Sequence, residues 1–495
     1  MAPENAPLER PLTRRDALKL IGAASLLGVL PSACRSAPPP EQDPRRPNIL
    51  YLHSHDTGRY VGPYGYDVPT PNLQRFAAQG VLFRQAFCAS PTCSPSRAAL
   101  FTGITPGCNG MWGLAHRGYA LSDYNQTFVP LLKRAGYTTA LAGVQHIAAG
   151  DPWTCARKIG YDTLLPLRSH YAHAVARAAV GYLERPPTKP FFLDVGFVET
   201  HTLDPTPDGS YFGYPSGDPE RAERPGALRD TPQTRRDMAD FAVSAGALDN
   251  AIGRVLDALE RSGLAENTLV IITTDHGVPL PGFKANHTDG GLGVMLMMRG
   301  PKGFSGGKVI DALVSHLDLF PTLCDLLALP PPPWLQGASL VPLVRGDVRE
   351  LHDAVYAEHE AHVVPEPQAS VRTARYRYIR RLSGPYRARP ANTDATHTKA
   401  LWLKEGWPPR LVAPEQLYDL QSDPFEQRNL AHVADYRDVL EALRDKLVAR
   451  SERFDNPLLR RYGVSGGPPV AALAPRSAPT EAAPGAELGV LYIRP

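Results

Sequence analysis

Short apolar runs recur along the chain, and each ends in polar residues. NILYLHS (48–54), TTALAGV (138–144), FFLDVGF (191–197), TLVIITT (268–274) and VMLMM (294–298) are near-continuous in hydrophobic side chains. Such runs mark strands covered on both faces, as in a sheet packed between helices. Between them the period changes. Leu248, Ile252, Val255, Leu256 and Leu259 fall on one helical face that Gly263 closes. Strands alternating with helices predict an α/β fold, a mixed sheet flanked by helices. Ligands of such sheets bind at the carboxyl ends of strands. His55 and Asp56, His146, His201, Asp275 and His276 all follow strand-like runs, so one active site is expected there.

Past about residue 350 the texture changes. SVRTARYRYIRRL (370–382) alternates like one exposed antiparallel strand, and a helix is expected from about 436 to 453. The expected division is a signal at 1–34, a Pro-rich linker at 35–46, a catalytic domain at 47–349, a smaller C-terminal α+β domain at 350–465 and a Pro/Ala-rich tail at 466–495.

Composition adds little. Hydrophobic residues are 43% and charged residues 21%, and the net charge is +3. That balance gives no basis for nucleic-acid binding. The N-terminus says more. TRRDALKL places two arginines before the short apolar run 20–30. It resembles a twin-arginine signal, which implies passage through the twin-arginine export machinery to the periplasm or beyond. Cys34, after Ser32 and Ala33, resembles the lipid-anchored cysteine of a lipoprotein, although Pro31 departs from that pattern. Cysteine spacing shows no CxxC metal motif, and a Cys88–Cys108 disulfide stays open.

The stretch SPTCSPSRAALFTG (90–103) carries the candidate chemistry. Ser94 before Pro95 reads as the cap and first position of a helix that runs to Gly103, with Cys93 just ahead of it. A lone cysteine there is either a small buried residue or a thiolate nucleophile.

Cys93-Ser94-Pro95-Ser96-Arg97 resembles the signature of the type I, formylglycine-dependent sulfatases. RPNILYLHSHD, PNLQRFAAQGVLFRQAF, TTDHG and QLYDLQSDPFEQRNLA resemble further blocks of that family. The stretch Asn109–Leu114, DHGVPLPGFK and EHE (358–360) resemble its heparan N-sulfatase branch. The resemblance implies an alkaline-phosphatase-like fold and release of sulfate from a sulfated carbohydrate, an N-sulfoglucosamine of heparan type. It implies oxidation of Cys93 to formylglycine by a formylglycine-generating enzyme. It implies a calcium ion, or magnesium, held by Asp56, Asp275, His276 and residue 93. His55 stands where most members have a further aspartate. Arg97 would orient the formylglycine, His146 would deprotonate it, and His201 and Lys284 would contact sulfate and protonate the leaving atom. His359 and Glu360 would contact the sugar. Val144 replaces the family's usual lysine, and Gln145 or a nearby arginine is its expected substitute. The competing readings are an O-sulfatase on another glycan, a phosphoester hydrolase of the same superfamily, and an inactive carbohydrate-binding relative.

Overall fold

The computed structural model describes residues 46–384 and 386–464. The expected export signal, Cys34 and the Pro/Ala-rich tail lie outside them. Among the described residues no helix is long and apolar enough to cross a membrane.

The apolar runs become the centre of an eight-stranded sheet. Its strands are β1 (Asn48–Ser54), β2 (Val81–Phe87), β3 (Thr138–Gly143), β4 (Thr163–Leu164), β5 (Phe191–Gly196), β6 (Thr268–Thr274), β7 (Leu296–Arg299) and β8 (Lys308–Ser315). Their order is β4-β3-β5-β1-β6-β7-β2-β8. Every pairing is parallel except those of β7 with β6 and β2. β1 is central, with Leu52 opposite Val195 on one side and Ile272 on the other.

Alternation along these strands builds two cores. Ile49, Tyr51, Leu141, Phe192 and Ile271 face one layer with Phe101, Phe128 and Phe320. Leu50, Leu52, Ala140, Leu193, Val270 and Ile272 face the other, against Leu248, Ile252, Val255 and Leu259 of the helix Pro232–Arg261. The helix extends the predicted face and starts where the Thr231 side chain accepts from Thr234 N. All seven residues of β1 are buried, so truncating Leu52 to alanine would cost about 2–5 kcal/mol.

The architecture changes after β8. Strands β9 (Val355–Ala361), β10 (Pro365–Arg372), β11 (Tyr376–Arg381) and β12 (Glu415–Asp419) form an antiparallel sheet in the order β12-β11-β10-β9. The helix Arg437–Arg453 covers it through Leu440, Leu443 and Leu447. The run 370–382 is therefore two strands rather than one, and it is not exposed. Arg377, in β11, is fully buried because His287 O, Asp289 and Glu426 take its guanidinium. The expected alternation was real, but its charged face meets carboxylates of the protein instead of water.

The five described cysteines are all free. Cys88 and Cys108 do not pair; the Cys88 thiol donates to Ser90 O at 2.9 Å.

Candidate active site

The carboxyl ends of β1, β3, β5 and β6 point one way, and the loops leaving them converge with the segment after β2. β1 delivers His55 and Asp56, and β6 delivers Asp275 and His276. The two ends are braced together: Asp56 N donates to Asp275 Oδ1 at 2.8 Å and Thr57 N to Thr274 Oγ1 at 3.2 Å. Asp56 holds a left-handed backbone, φ 52°. Aspartate tolerates that region better than most residues.

The helix carrying the cysteine spans Cys93–Thr102, two residues earlier than the Ser-Pro signal predicted. Ser94 does not cap it. Its hydroxyl instead accepts from Ala115 N at 3.0 Å. Cys93 is the first helical residue, and Gly103 closes the helix with φ 66°.

Cys93 Sγ lies 3.3 Å from His276 Nε2. His276 Nδ1 is 2.9 Å from Gly277 O, so it carries the ring proton and Nε2 presents a lone pair. Asp56 Oδ1 stands 3.2 Å from that nitrogen, buried and without a hydrogen bond of its own. Acceptors facing acceptors in a buried space call for a cation between them. The ligand atoms of Asp56, Cys93, Asp275 and His276 lie within 4.8 Å of one another, and those of His55, Asp56, Cys93 and His201 form an overlapping group. His55 is turned into this cluster, with Nδ1 3.0 Å from Asp275 Oδ2 and 3.5 Å from Asp56 Oδ1.

Charge organises the cluster. Burial would raise both acids. Lys284, His201 and His276 nevertheless hold Asp56 well below the usual carboxylate range. His276, Arg97 and His55 do the same for Asp275. Lys284 Nζ donates to Asp56 Oδ2 at 2.7 Å and to Asp394 Oδ2 at 2.6 Å, and lies 3.3 Å from His201 Nε2. Burial pulls Lys284 down, but Asp394 and Asp56 outweigh it and keep the ammonium well above its usual range. Arg97 Nη2 donates to Asp275 Oδ2 at 3.0 Å and Ser54 O at 2.9 Å, and Nη1 donates to His53 Nδ1. His53 then gives its Nε2 proton to Asp194 at 2.9 Å, and the Tyr161 hydroxyl donates to the other oxygen of Asp194.

Burial pushes the Cys93 thiol well above its usual range, and Lys284 offsets only part of this. A free thiolate nucleophile does not fit that environment. His146 and His201 are both pulled down, first by burial. His146 Nε2 lies 3.2 Å from His116 Nδ1, and the two rings stack at 5.5 Å with 6° between planes. Its Nδ1 is buried without a hydrogen bond. His201 Nδ1 donates to Thr202 O at 2.6 Å, which leaves Nε2 toward Lys284.

Three expected residues do other work. Gln145 does not stand in for the missing lysine: Oε1 accepts from Ile147 N and Ala148 N, and Nε2 donates to Ala148 O, all within its own turn. His359 is fully buried, with Nδ1 3.0 Å from His287 Nε2. Glu360 accepts from Arg461 Nη1 at 3.0 Å and from the Tyr462 hydroxyl at 3.3 Å. Neither His359 nor Glu360 is among the side chains that meet at the cluster.

The sequence pattern of the family described as Sulfatase matches residues 47–329, and that described as N-sulphoglucosamine sulphohydrolase, C-terminal, matches residues 287–385. The chain belongs to the sulfatase family. It is 28% identical over 451 residues to the N-sulphoglucosamine sulphohydrolase of Homo sapiens, covering 81% of this chain and 89% of that one. Two solved structures share its fold. One, described as a 2-O GAG sulfatase, has a TM-score of 0.63 and 24% identity, over 83% of this chain and 93% of that one. The other, described in complex with its substrate D-glucosamine-2-N,6-O-disulfate, has a TM-score of 0.62 and 19% identity, over 83% and 98%.

Sulfatases use a metal ion and a formylglycine, and this sulfatase has a place fit for each. The orphaned Asp56 Oδ1 facing the His276 lone pair suits the ion, and the buried residue 93 at the same point suits the aldehyde. Three contributors escape sequence reasoning. Asp394 comes from the polar stretch ANTDATHTK, which has no period and no motif. His116 follows the cysteine helix, but nothing in the sequence stacks it on His146. His362 is buried in the field of Lys284, His276, Asp56 and His201, three residues beyond the histidine that the EHE block singled out.

Proposed function

We propose that this sulfatase releases sulfate from an N-sulfated glucosamine at the non-reducing end of heparan-type glycans, using formylglycine at position 93 and calcium. The observation that supports the choice of sugar is the N-sulphoglucosamine sulphohydrolase pattern over residues 287–385, the segment that carries strands β9 to β11 and His362. A hard, oxygen-preferring cation fits a site led by two ionised carboxylates. It would be held by Asp56, Asp275 and His276 with residue 93, and would neutralise charge on the sulfuryl oxygens. Residue 93 as formylglycine would supply a hydrated aldehyde, one hydroxyl to attack sulfur and one to release sulfate afterwards.

The chain's own groups carry the protons. Arg97 fixes Asp275 and keeps an unpartnered Nε in the cluster. His146 is neutral at ordinary pH because burial depresses it. With Nε2 engaged by His116, it accepts a proton at Nδ1. The Lys284 ammonium, kept charged by Asp394 and Asp56, is the proton source for the leaving nitrogen, and His201 Nε2, a lone pair 3.3 Å from Lys284 Nζ, relays or orients that proton. We assign a sugar contact to His362, whose Nδ1 is buried without a hydrogen bond beside the cluster. The enzyme's place is the periplasm or beyond, reached through the twin-arginine machinery after maturation by a formylglycine-generating enzyme, with Cys34 a candidate lipid anchor.

Glucosamine monosaccharides sulfated at N, O3 or O6, with a phosphate analogue as control, test the reading. Preferential sulfate release from the N-sulfated sugar is expected. Preference for an O-sulfated sugar refutes the choice of bond, and turnover of the phosphate analogue alone refutes the choice of reaction.

A further inference from the structure

A cavity of about 210 Å³ is lined by residues that flank Lys284 and Asp394 in the chain. Gly282 and Asn286, on either side of Lys284, form one wall, and Arg389, Asn392 and Thr393, which lead to Asp394, form another. The Lys284–Asp394 pair, at 2.6 Å, ties these walls together. Asn392 Oδ1 accepts from Val363 N and Val364 N at 2.9 and 2.8 Å, so the same segment also holds the loop that carries His362. One short stretch of chain thus lines the cavity and reaches the catalytic cluster.

The lining is that of a sugar pocket with a positive charge to spare. Trp402 and Trp407 meet edge to face at 5.1 Å and offer apolar ring surface. The Glu366 carboxylate is already engaged by Arg381 and by Asn392 Nδ2. Arg389 is half-buried, and no described residue pairs with its guanidinium. Arg381 Nε is buried without a hydrogen bond. A half-buried guanidinium without a partner suits an oxyanion two of whose oxygens its N–H groups can grip.

We propose that this cavity is a second sugar subsite, which takes the residue joined to the sulfated one and reads its carboxylate or sulfate through Arg389. The proposal rests on the glycan reading above. The test uses disaccharides with one N-sulfated glucosamine at the non-reducing end, joined to a uronic acid, a sulfated hexose or a neutral hexose. The wild type is expected to favour an anionic partner over the neutral one by ~10-fold in kcat/KM, the scale of one charge-assisted contact. Arg389→Gln should bring that ratio near one through KM, and Arg389→Lys should keep most of it. The uronate and sulfate arms show which anion is read. An equal ratio in wild type and Arg389→Gln, or no preference in the wild type, overturns the subsite. If only O-sulfated sugars release sulfate, the choice of bond fails, and the same three partners on an O-sulfated sugar decide the subsite separately.

Discussion

Replacing His116 by leucine isolates the contact that orients the proposed base. His116 Nδ1 is the hydrogen-bond partner of His146 Nε2 at 3.2 Å, and the two rings stack at 5.5 Å, so His116 fixes the orientation of the His146 ring. With His116 as acceptor, His146 carries its proton on Nε2 and keeps a lone pair on Nδ1. Leucine removes the acceptor and leaves a buried N–H unsatisfied, at a cost of about 1–3 kcal/mol. The ring can escape that cost by rotating or by moving its proton, and either change spoils the base. A positioned base contributes about 10²–10⁴ to rate, and loss of an orienting partner typically removes 10–100-fold. We therefore expect kcat for an aryl sulfate to fall by about 10–100-fold in His116→Leu, with KM within about twofold of wild type. His116→Asn keeps an acceptor near the position of Nδ1 and should recover a large part of kcat. Steady-state kinetics on matured enzyme, with melting curves to confirm folding, measure both. A His116→Leu enzyme with wild-type kcat, or an Asn variant no better than Leu, refutes the argument.

Other outcomes follow from the same geometry. Cys93→Ala should abolish turnover with little change in melting temperature, and peptide mass of active enzyme should show sulfur replaced by oxygen at residue 93; an unmodified thiol in active enzyme counts against the maturation. Calcium added after chelation should raise the melting temperature, by the equivalent of about 2.7 kcal/mol at a hundredfold excess over Kd; Asp56→Asn should erase the response, and a melting curve indifferent to chelator and calcium refutes the ion. Asp394→Asn removes one of the two carboxylates on buried Lys284 and should lower stability and kcat/KM together, because half of the ammonium's compensation is lost; unchanged values for both exclude that role. His352 supplies a pH test. Burial pulls its imidazolium down, but its hydrogen bonds to Asp318, 2.9 Å to each oxygen, outweigh this and raise it above the usual 6.5. A raised folded-state value stabilises below 6.5 and loses that contribution as pH climbs through it. His352→Gln should therefore lower the melting temperature more at about pH 5.5 than at about pH 9, and an equal drop at both refutes the pairing.

What the chain discloses in advance depends on how many faces of an element are buried. β1, β3, β5 and β6 are covered on both faces, so their apolar runs are unbroken and their limits lie within a residue of those expected. VMLMM misleads by two residues: Val294 N and Met295 N donate to Ala86 O and Gly58 O, so the run begins in loop pairings and β7 begins at Leu296. β8 starts with exposed residues at a sheet edge, and its run shows no such signal. In β11 the strand period is legible but its sign is not. A buried arginine and an exposed one look alike until Asp289 and Glu426, from distant parts of the chain, are in place.

The site divides along the same line. Residues at strand ends inherit the order of the sheet, and that is why Asp56, His146, His201, Asp275 and His276 are visible from a pattern of apolar runs with polar ends. Residue 93 is visible because its neighbours form a motif. Asp394, His116 and His362 belong to neither class. They are single polar side chains between the main elements, and their meaning lies in what they face: an ammonium, an imidazole and a cluster of four titratable groups. Groups of this kind tune a centre that the strand ends build. Because they lie outside the sheet and the cysteine helix, the substrate contacts of this sulfatase are best sought by substitution in the segment 386–404 and the loop after β9, not at the strand ends.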